Sequence, residues 1–170
     1  MLALGLDDDR FPWRHPNVNF LRGDVLKLEL PSRNFDFILN CSSVEHVGLH
    51  ARYGVATEET DGDLEAMKRF RELLKPTGKM LMTIPCGKDA AMASRHRVYG
   101  EDRLPKLLKG FEVVEEEFWA KRADNRWYPA NRAAALSFPA TGHRTDPTLC
   151  LYALGCFILK TTASAAILDP

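Results

Sequence analysis

Apolar and polar positions alternate along this chain in blocks that predict a series of short strands. Each block is a run of mostly apolar residues that ends in polar or turn-forming residues, as buried strands do. The clearest example is Phe35–Asn40, which continues directly into the polar cluster Cys41–His46. The predicted strands are Leu2–Leu6, Val18–Leu21, Phe35–Asn40, Lys79–Pro85, Phe111–Trp119 and Leu149–Lys160.

Helical spacing of apolar residues predicts a helix between the third and fourth strands. Asp61 or Asp63 is a candidate N-cap, and Pro76-Thr77-Gly78 is expected to stop the helix. The buried face of this helix is predicted to hold Leu64, Met67, Phe70, Leu73 and Leu74. The other predicted segments are the loop Gly48–Gly62, a loop or broken helix at Gly87–Tyr99, a short helix at Glu101–Lys109, irregular structure at Lys121–Pro147 and a tail at Thr161–Pro170.

Strands that alternate with helices predict an α/β fold with a mostly parallel sheet. The last two strands have no predicted helix between them, so we expect them to form an antiparallel edge of the sheet. Ligands of such sheets bind beyond the carboxyl ends of the strands, which places the expected chemistry at Asn40–His46 and just after Pro85. The length of 170 residues predicts one domain over residues 1–170, with 161–170 as its tail.

The amino-acid composition bears on which classes of partner are expected. Lys plus Arg and Asp plus Glu both number 23, so net charge gives no argument for nucleic acid or an anionic membrane as a partner. The longest apolar run, Leu149–Leu159, is too short to span a bilayer, and Met1–Leu6 is too short for a signal peptide. The four cysteines contain no CxxC pair, which favours reduced thiols and a cytoplasmic location.

Two polar clusters follow predicted strands and are candidates for chemistry. Glu45 and His46 could supply a general base, although Glu45 could equally cap the following helix and His46 pack on the surface. After the strand ending at Pro85, His96 is a second candidate acid or base. Arg97, Tyr99 and Arg103 could bind an anionic substrate, or form a solvated basic helix start, and Trp127 lies in a long connection typical of binding loops.

A metal site is not favoured by the sequence. His46 and His50 have the i, i+4 spacing of a metal pair. However, Gly48 lies between them and the glutamate of a hydrolytic zinc helix is absent.

The order of these motifs resembles the class I S-adenosylmethionine-dependent methyltransferases. Gly5-Leu6-Asp7 is similar to the strand end whose acidic residue holds the cofactor ribose, and a carboxylate suits a vicinal diol. Gly23-Asp24-Val25 is similar to the pair near the adenine, and Asn40-Cys41-Ser42 to a third cofactor contact. Leu73–Gly78 is similar to the Leu-Lys-Pro-Gly-Gly helix end of that family. The resemblance covers Leu2–Pro85 and implies S-adenosylmethionine as the cofactor.

A narrower resemblance is to an uncharacterised methyltransferase-like family known from nematodes and bacteria. The residues that carry it are Ser42–Leu49, Arg52–Gly54, Asp61–Leu64, Gly87–Asp89 and His96–Gly100.

One departure from the methyltransferase pattern bears on the fold. The first strand of that family ends in a glycine-rich loop under the cofactor, and nothing before Gly5 supplies it. We therefore expect a sheet without the first strand and helix, in which a gap remains, the neighbouring strands close up, or another chain fills the space. An unpaired central edge favours pairing, so a homodimer is predicted.

The resemblance implies methyl transfer from S-adenosylmethionine to an oxygen or nitrogen nucleophile of a small molecule, such as a sugar, with His46 or His96 as the base. The alternatives are a non-catalytic remnant of the fold that serves as a binding or assembly module, and a chain whose natural form is longer. A dinucleotide-binding protein is disfavoured because Gly-x-Gly-x-x-Gly is absent.

Overall fold

A computed structural model describes residues 3–7, 15–49, 59–92, 95–142 and 149–162. The chain divides into two compact units, Met1–Pro31 and Ser32–Pro170. The single domain expected from the sequence stays a prediction.

The first unit contains two strands, β1 (Ala3–Asp7) and β2 (Val18–Arg22), which pair in parallel. The register sets Asp7 opposite Arg22, and the Gly23 N–H donates to the Asp7 carbonyl at 2.9 Å. The carboxyl ends of both strands therefore lie side by side. Asp24 follows at the same end, where its carbonyl accepts the N–H groups of Lys27 and Leu28 in a helical turn.

The second unit is a five-stranded sheet with helices. Its elements are β3 (Phe35–Cys41), a 3-10 turn (Val44–His46), α1 (Gly62–Leu73), β4 (Leu74–Cys86), β5 (Ala90–Met92), β6 (His96–Val98), α2 (Leu104–Leu107), β7 (Phe111–Lys121), β8 (Trp127–Ala130), α3 (Arg132–Leu136) and β9 (Ala153–Thr161). Within the described part of the chain, no helix has the length and hydrophobicity needed to cross a membrane.

The strand order of this sheet is β3-β4-β9-β7-β8. β3 and β4 are parallel, and the pairs β4–β9, β9–β7 and β7–β8 are antiparallel. This confirms the predicted α/β fold with an antiparallel C-terminal part. The last two predicted strands, β7 and β9, pair antiparallel as expected, with β9 between β4 and β7, and the unpredicted strand β8 adds to the outer side of β7.

The two faces of the sheet differ in how deeply their side chains are buried. One face packs under the helices and holds the core, with Met80, Met82, Phe157 and Leu159 at most 1% exposed. The opposite face carries the row Leu39, Leu81 and Ile158, which lie in register on β3, β4 and β9. Leu39 is 63% exposed, and Leu81 and Ile158 are half-buried.

The helix α1 buries its predicted apolar face, including Met67, Phe70 and Leu73. It ends at Leu73, before the expected stop, because β4 already begins at Leu74 and a register shift opposite Phe35/Phe37 accommodates Pro76–Gly78. Neither of the two predicted N-cap residues caps the helix with its side chain. Asp61 occupies the N-cap position without a capping hydrogen bond, and Asp63 is buried in the first turn.

Two segments without a predicted strand contain strands in the structure. Gly87–Tyr99 was expected to be a loop or a broken helix, but β5 and β6 within it pair as an antiparallel hairpin. Lys121–Pro147 was expected to be irregular, but it contains β8 and α3. These strands have three or four residues each, which is too few for local periodicity to reveal them.

Candidate active site

The end of β3 is shaped by its own polar side chains. The Oδ1 atom of Asn40 accepts the Val44 N–H at 3.3 Å, which starts the 3-10 turn. Ser42 has a left-handed backbone with φ of 48°, a conformation that costs energy for a residue other than glycine and is often found at functional sites. Its hydroxyl lies 3.2 Å from the Thr83 hydroxyl on β4. The carboxyl ends of β3 and β4 thus present exposed Cys41 and Ser42 beside Thr83.

The 3-10 turn brings the three predicted catalytic residues together. His46 Nδ1 lies 2.5 Å from the Arg95 carbonyl, and His46 Nε2 lies 3.8 Å from Glu45 Oε1. The rings of His46 and His96 meet edge to face, with centroids 6.0 Å apart. Because a carbonyl only accepts, Nδ1 carries a proton in this contact. Glu45 lies beside Nε2, a contact that their adjacency in sequence did not predict.

Exposure separates the two histidines. His46 is 7% exposed and Glu45 is 2% exposed, whereas His96 is half-buried. Of the two candidate bases, His96 is therefore the one more open to a ligand.

Beneath this cluster lies a buried ionic network centred on Asp63, which is fully buried. Its carboxylate accepts the Tyr99 hydroxyl at 3.0 Å and the Arg103 Nε and Nη2 groups at 2.9 and 2.5 Å. The hydrogen bonds from Arg103 to Asp63 raise the pKa of the guanidinium. Burial raises the pKa of Tyr99, and the charge of Asp63 adds to this effect, so the phenol stays neutral.

Arg97 is 3% exposed, and every N–H of its guanidinium has a partner. Nη1 donates to the carbonyls of Glu45 and Val47. Nη2 donates to the carbonyls of Glu59 and Thr60, and Nε lies 3.4 Å from Asp63. These hydrogen bonds engage both Nη groups, so contacts within the fold hold the guanidinium in place. The predicted substrate-binding role of Arg97, Tyr99 and Arg103 stays a prediction, while the observed contacts of all three join elements of the fold.

Close backbone packing explains the glycines beside this network. Gly48 has φ of +79°, and a Cβ there would lie 2.6 Å from the Glu59 carbonyl oxygen. A Cβ on Gly62 would lie 2.8 Å from the Val47 carbonyl oxygen. The turn after β3 therefore rests directly on the start of α1. Asp89 also holds this region together, because its carboxylate accepts the N–H groups of Gly100, Asp102 and Arg103.

Aromatic residues lie at the same end of the sheet, on β8 and just before β9. Trp127, a predicted substrate-binding residue, is 38% exposed and meets Tyr152 edge to face at 5.4 Å between centroids. Burial raises the pKa of Tyr152, and the charges of Cys150 and Glu45 raise it further. The sequence prediction missed Tyr152, although it directly precedes the apolar run of β9.

The predicted cofactor residues of the first unit lie at or near the carboxyl ends of β1 and β2. Asp7 is exposed at the end of β1. The Asp24 carboxylate accepts the Leu26 N–H at 2.9 Å and lies 3.3 Å from Lys27 Nζ, so it closes a turn. Gly5 lies within β1, while Gly23 and Val25 flank Asp24.

His50, which the sequence offers with His46 as a candidate metal pair, lies outside the described residues. Among the residues that are described, no group of three or more His, Cys, Asp or Glu side chains is arranged to hold a metal ion. The four cysteines are free thiols; Cys41 is exposed and Cys86 is buried.

A family model described as "Caenorhabditis protein of unknown function, DUF268" matches residues 24–129. This range contains Glu45, His46, Asp63 and the hairpin of β5 and β6. No curated protein matches the chain significantly.

Solved structures with this fold include S-adenosylmethionine-dependent methyltransferases. One from Archaeoglobus fulgidus has 12% identity and a TM-score of 0.58, covering 93% of this chain and 75% of its own. The complex of the Haloferax volcanii Trm112 methyltransferase activator with a methyltransferase matches at 13% identity and a TM-score of 0.56, covering 94% and 72%. The [4+2]-cyclase SpnF matches at 16% identity and a TM-score of 0.52, covering 87% of this chain and 57% of SpnF. At these identities the likeness shows the fold, and this chain spans little more than half of SpnF.

Proposed function

Because this chain belongs to the family described as Caenorhabditis protein of unknown function, DUF268, and has a methyltransferase-like fold, we propose that it is an S-adenosylmethionine-dependent methyltransferase. Its acceptor is an oxygen or nitrogen nucleophile of a small molecule such as a sugar. The observation that carries the proposal is the cluster of Glu45, His46 and His96 next to the carboxyl end of β3, where α/β folds bind their ligands.

Each of the two units carries candidate cofactor contacts at the carboxyl end of a strand. Asp7 offers an exposed carboxylate at the end of β1 for the ribose hydroxyls. At the end of β3, the left-handed backbone exposes the Ser42 hydroxyl. Asn40 and Asp24 are already used in turns, so their proposed contacts would be made by neighbouring backbone groups. When bound, S-adenosylmethionine supplies the electrophilic methyl group, and the protein supplies binding and orientation.

We assign the proton transfer to His96, since a base must be reachable by the acceptor and His46 is nearly buried. His46 is the positioning residue. Its Nδ1–H is fixed to the Arg95 carbonyl, and its Nε2 lies beside the Glu45 carboxylate. Trp127 and Tyr152 then form an aromatic wall for the acceptor at the same end of the sheet.

Calorimetric titration with S-adenosylmethionine and S-adenosylhomocysteine tests the proposal. We expect binding of both, weakened by Asp7→Asn, and transfer of a radiolabelled methyl group to acceptors from a small-molecule panel. His96→Gln should lower kcat by about 10²-fold or more without changing cofactor affinity, and His46→Gln should shift the pH–rate profile. His15→Gln is the matched control, because His15 precedes the opposite, amino end of β2.

Two results would contradict these assignments separately. Absence of binding at millimolar cofactor would refute the methyltransferase proposal. Binding and turnover with an unchanged kcat in His96→Gln would refute the choice of base alone.

The second candidate function is a non-catalytic binding or assembly module. It is favoured by the contacts of Asp63, Arg97, Tyr99 and Arg103, residues that could have served a substrate but that join elements of the fold. Cofactor binding discriminates the two functions. In either case we propose a homodimer in the reducing cytoplasm, in keeping with four free cysteines.

A further inference from the structure

The outer edge of β3 carries unpaired backbone groups. β3 pairs with β4 along one side, and no other strand of the described residues pairs with it. The Ser42 N–H donates to Thr83 on β4 at 3.0 Å. Because backbone groups alternate in direction along a strand, the N–H and C=O groups of Cys41, Leu39 and Phe37 point to the open edge.

The side chains of this edge lack the usual protection against strand pairing. Natural edge strands are shielded by lysines, prolines or bulges. From Phe37 to Cys41 the register of β3 is regular, and Phe37 and Leu39 are 54% and 63% exposed. The single charged residue of β3, Asp36, is paired with Lys75 at 2.8 Å. Among the described residues, this edge is therefore apolar and has no strand partner.

The sequence of the strand is complementary to itself. We infer that β3 pairs with β3 of a second copy of this chain, antiparallel about a two-fold axis at Ile38. In this register Phe37 lies opposite Leu39 of the second copy, and Asp36 lies opposite Asn40. No like charges face each other, the contact between Phe37 and Leu39 occurs twice, and Ile38 meets its own counterpart on the axis, as an isologous interface requires.

The interface also borders the candidate active site. The register places Cys41 opposite Phe35 of the second copy, so the carboxyl end of β3 in one copy meets the beginning of β3 in the other. The inference gives the proposed homodimer an interface, and it holds whether or not the chain binds S-adenosylmethionine.

Sedimentation velocity over a micromolar concentration series tests the inference. We expect a monomer–dimer equilibrium for the wild-type chain, and a dissociation constant raised about tenfold or more by Leu39→Lys, since the change enters the interface twice. Val114→Lys is the matched control, because Val114 is also apolar and 47% exposed but lies on β7. Circular dichroism of each variant shows whether it is folded.

Oxidative cross-linking tests the register in a Cys41→Ser background. Ile38→Cys should form a disulfide between copies, because Ile38 faces its own counterpart, and Leu39→Cys should not. A wild-type monomer at every concentration would overturn the interface, as would equal dimerisation of Leu39→Lys and wild type. Cross-linking through Leu39→Cys alone would overturn this register.

Discussion

Replacing Asp63 by asparagine should destabilise the protein in the absence of any ligand. The carboxylate is fully buried and receives the Tyr99 hydroxyl and two N–H groups of Arg103, with Arg97 Nε 3.4 Å away. An asparagine at this position would keep the shape but remove the charge and turn an amide NH₂ group toward guanidinium donors. Two arginines would then lack their shared counter-charge in a buried setting.

The expected loss of stability can be worked out from the cost of removing one partner of a buried ion pair. Removing one partner of such a pair costs about 3–5 kcal/mol, because the remaining charge stays buried without compensation. A domain has about 5–15 kcal/mol of stability in total, so Asp63→Asn should remove a large fraction of it. Tyr99→Phe removes only one hydrogen bond to the carboxylate and should cost about 1.5–3 kcal/mol.

Urea unfolding followed by circular dichroism measures these losses. Asp61→Asn is the matched control: it removes a neighbouring carboxylate that also contacts Arg103, at 3.2 Å, but whose side chain is 66% exposed. An exposed pair contributes about 0–1 kcal/mol. If Asp63→Asn cost no more than Asp61→Asn, the structural role of this network would be refuted, and the arginines would again be candidates for substrate binding.

Two further predictions concern the close packing at Gly48 and the reactivity of two cysteines. Gly48→Ala should cost about 2 kcal/mol or more in urea unfolding, because the new Cβ meets the Glu59 carbonyl oxygen at 2.6 Å in a left-handed backbone. Gly142→Ala, which meets only the end of Met92, should be nearly neutral, and equal losses would contradict the packing argument. Burial raises the pKa of the Cys86 thiol from 9.0 to about 12, so the native state holds this proton more tightly than the unfolded chain does. The stabilisation that this proton provides is present below pH 9 and falls as the pH rises toward 12. At pH 8 a disulfide reagent should modify Cys41 rapidly and Cys86 only after unfolding; rapid labelling of Cys86 in the folded chain would refute its burial.

The sequence by itself determined the kind of most elements and pointed to the end of β3 as the place for chemistry. Strands such as β3 and helix α1 have strong local periodicity, and a buried run followed by polar residues marks a strand end wherever the strand lies in the sheet. The boundaries of elements differ from the predicted ones where tertiary contacts compete with local signals. At Pro76–Gly78, where the sequence predicts the end of a helix, the structure has a bulged part of strand β4.

Tertiary structure alone decided what the polar residues do. Asp63 was a candidate helix cap, and Arg97 and Arg103 were candidates for substrate binding, yet they meet in one buried network. Their partners lie tens of residues away along the chain, and a local pattern cannot distinguish a solvated arginine from a buried one whose donors are satisfied. For the same reason the sequence placed Glu45 and His46 side by side without showing that His46 Nε2 and Glu45 Oε1 approach to 3.8 Å.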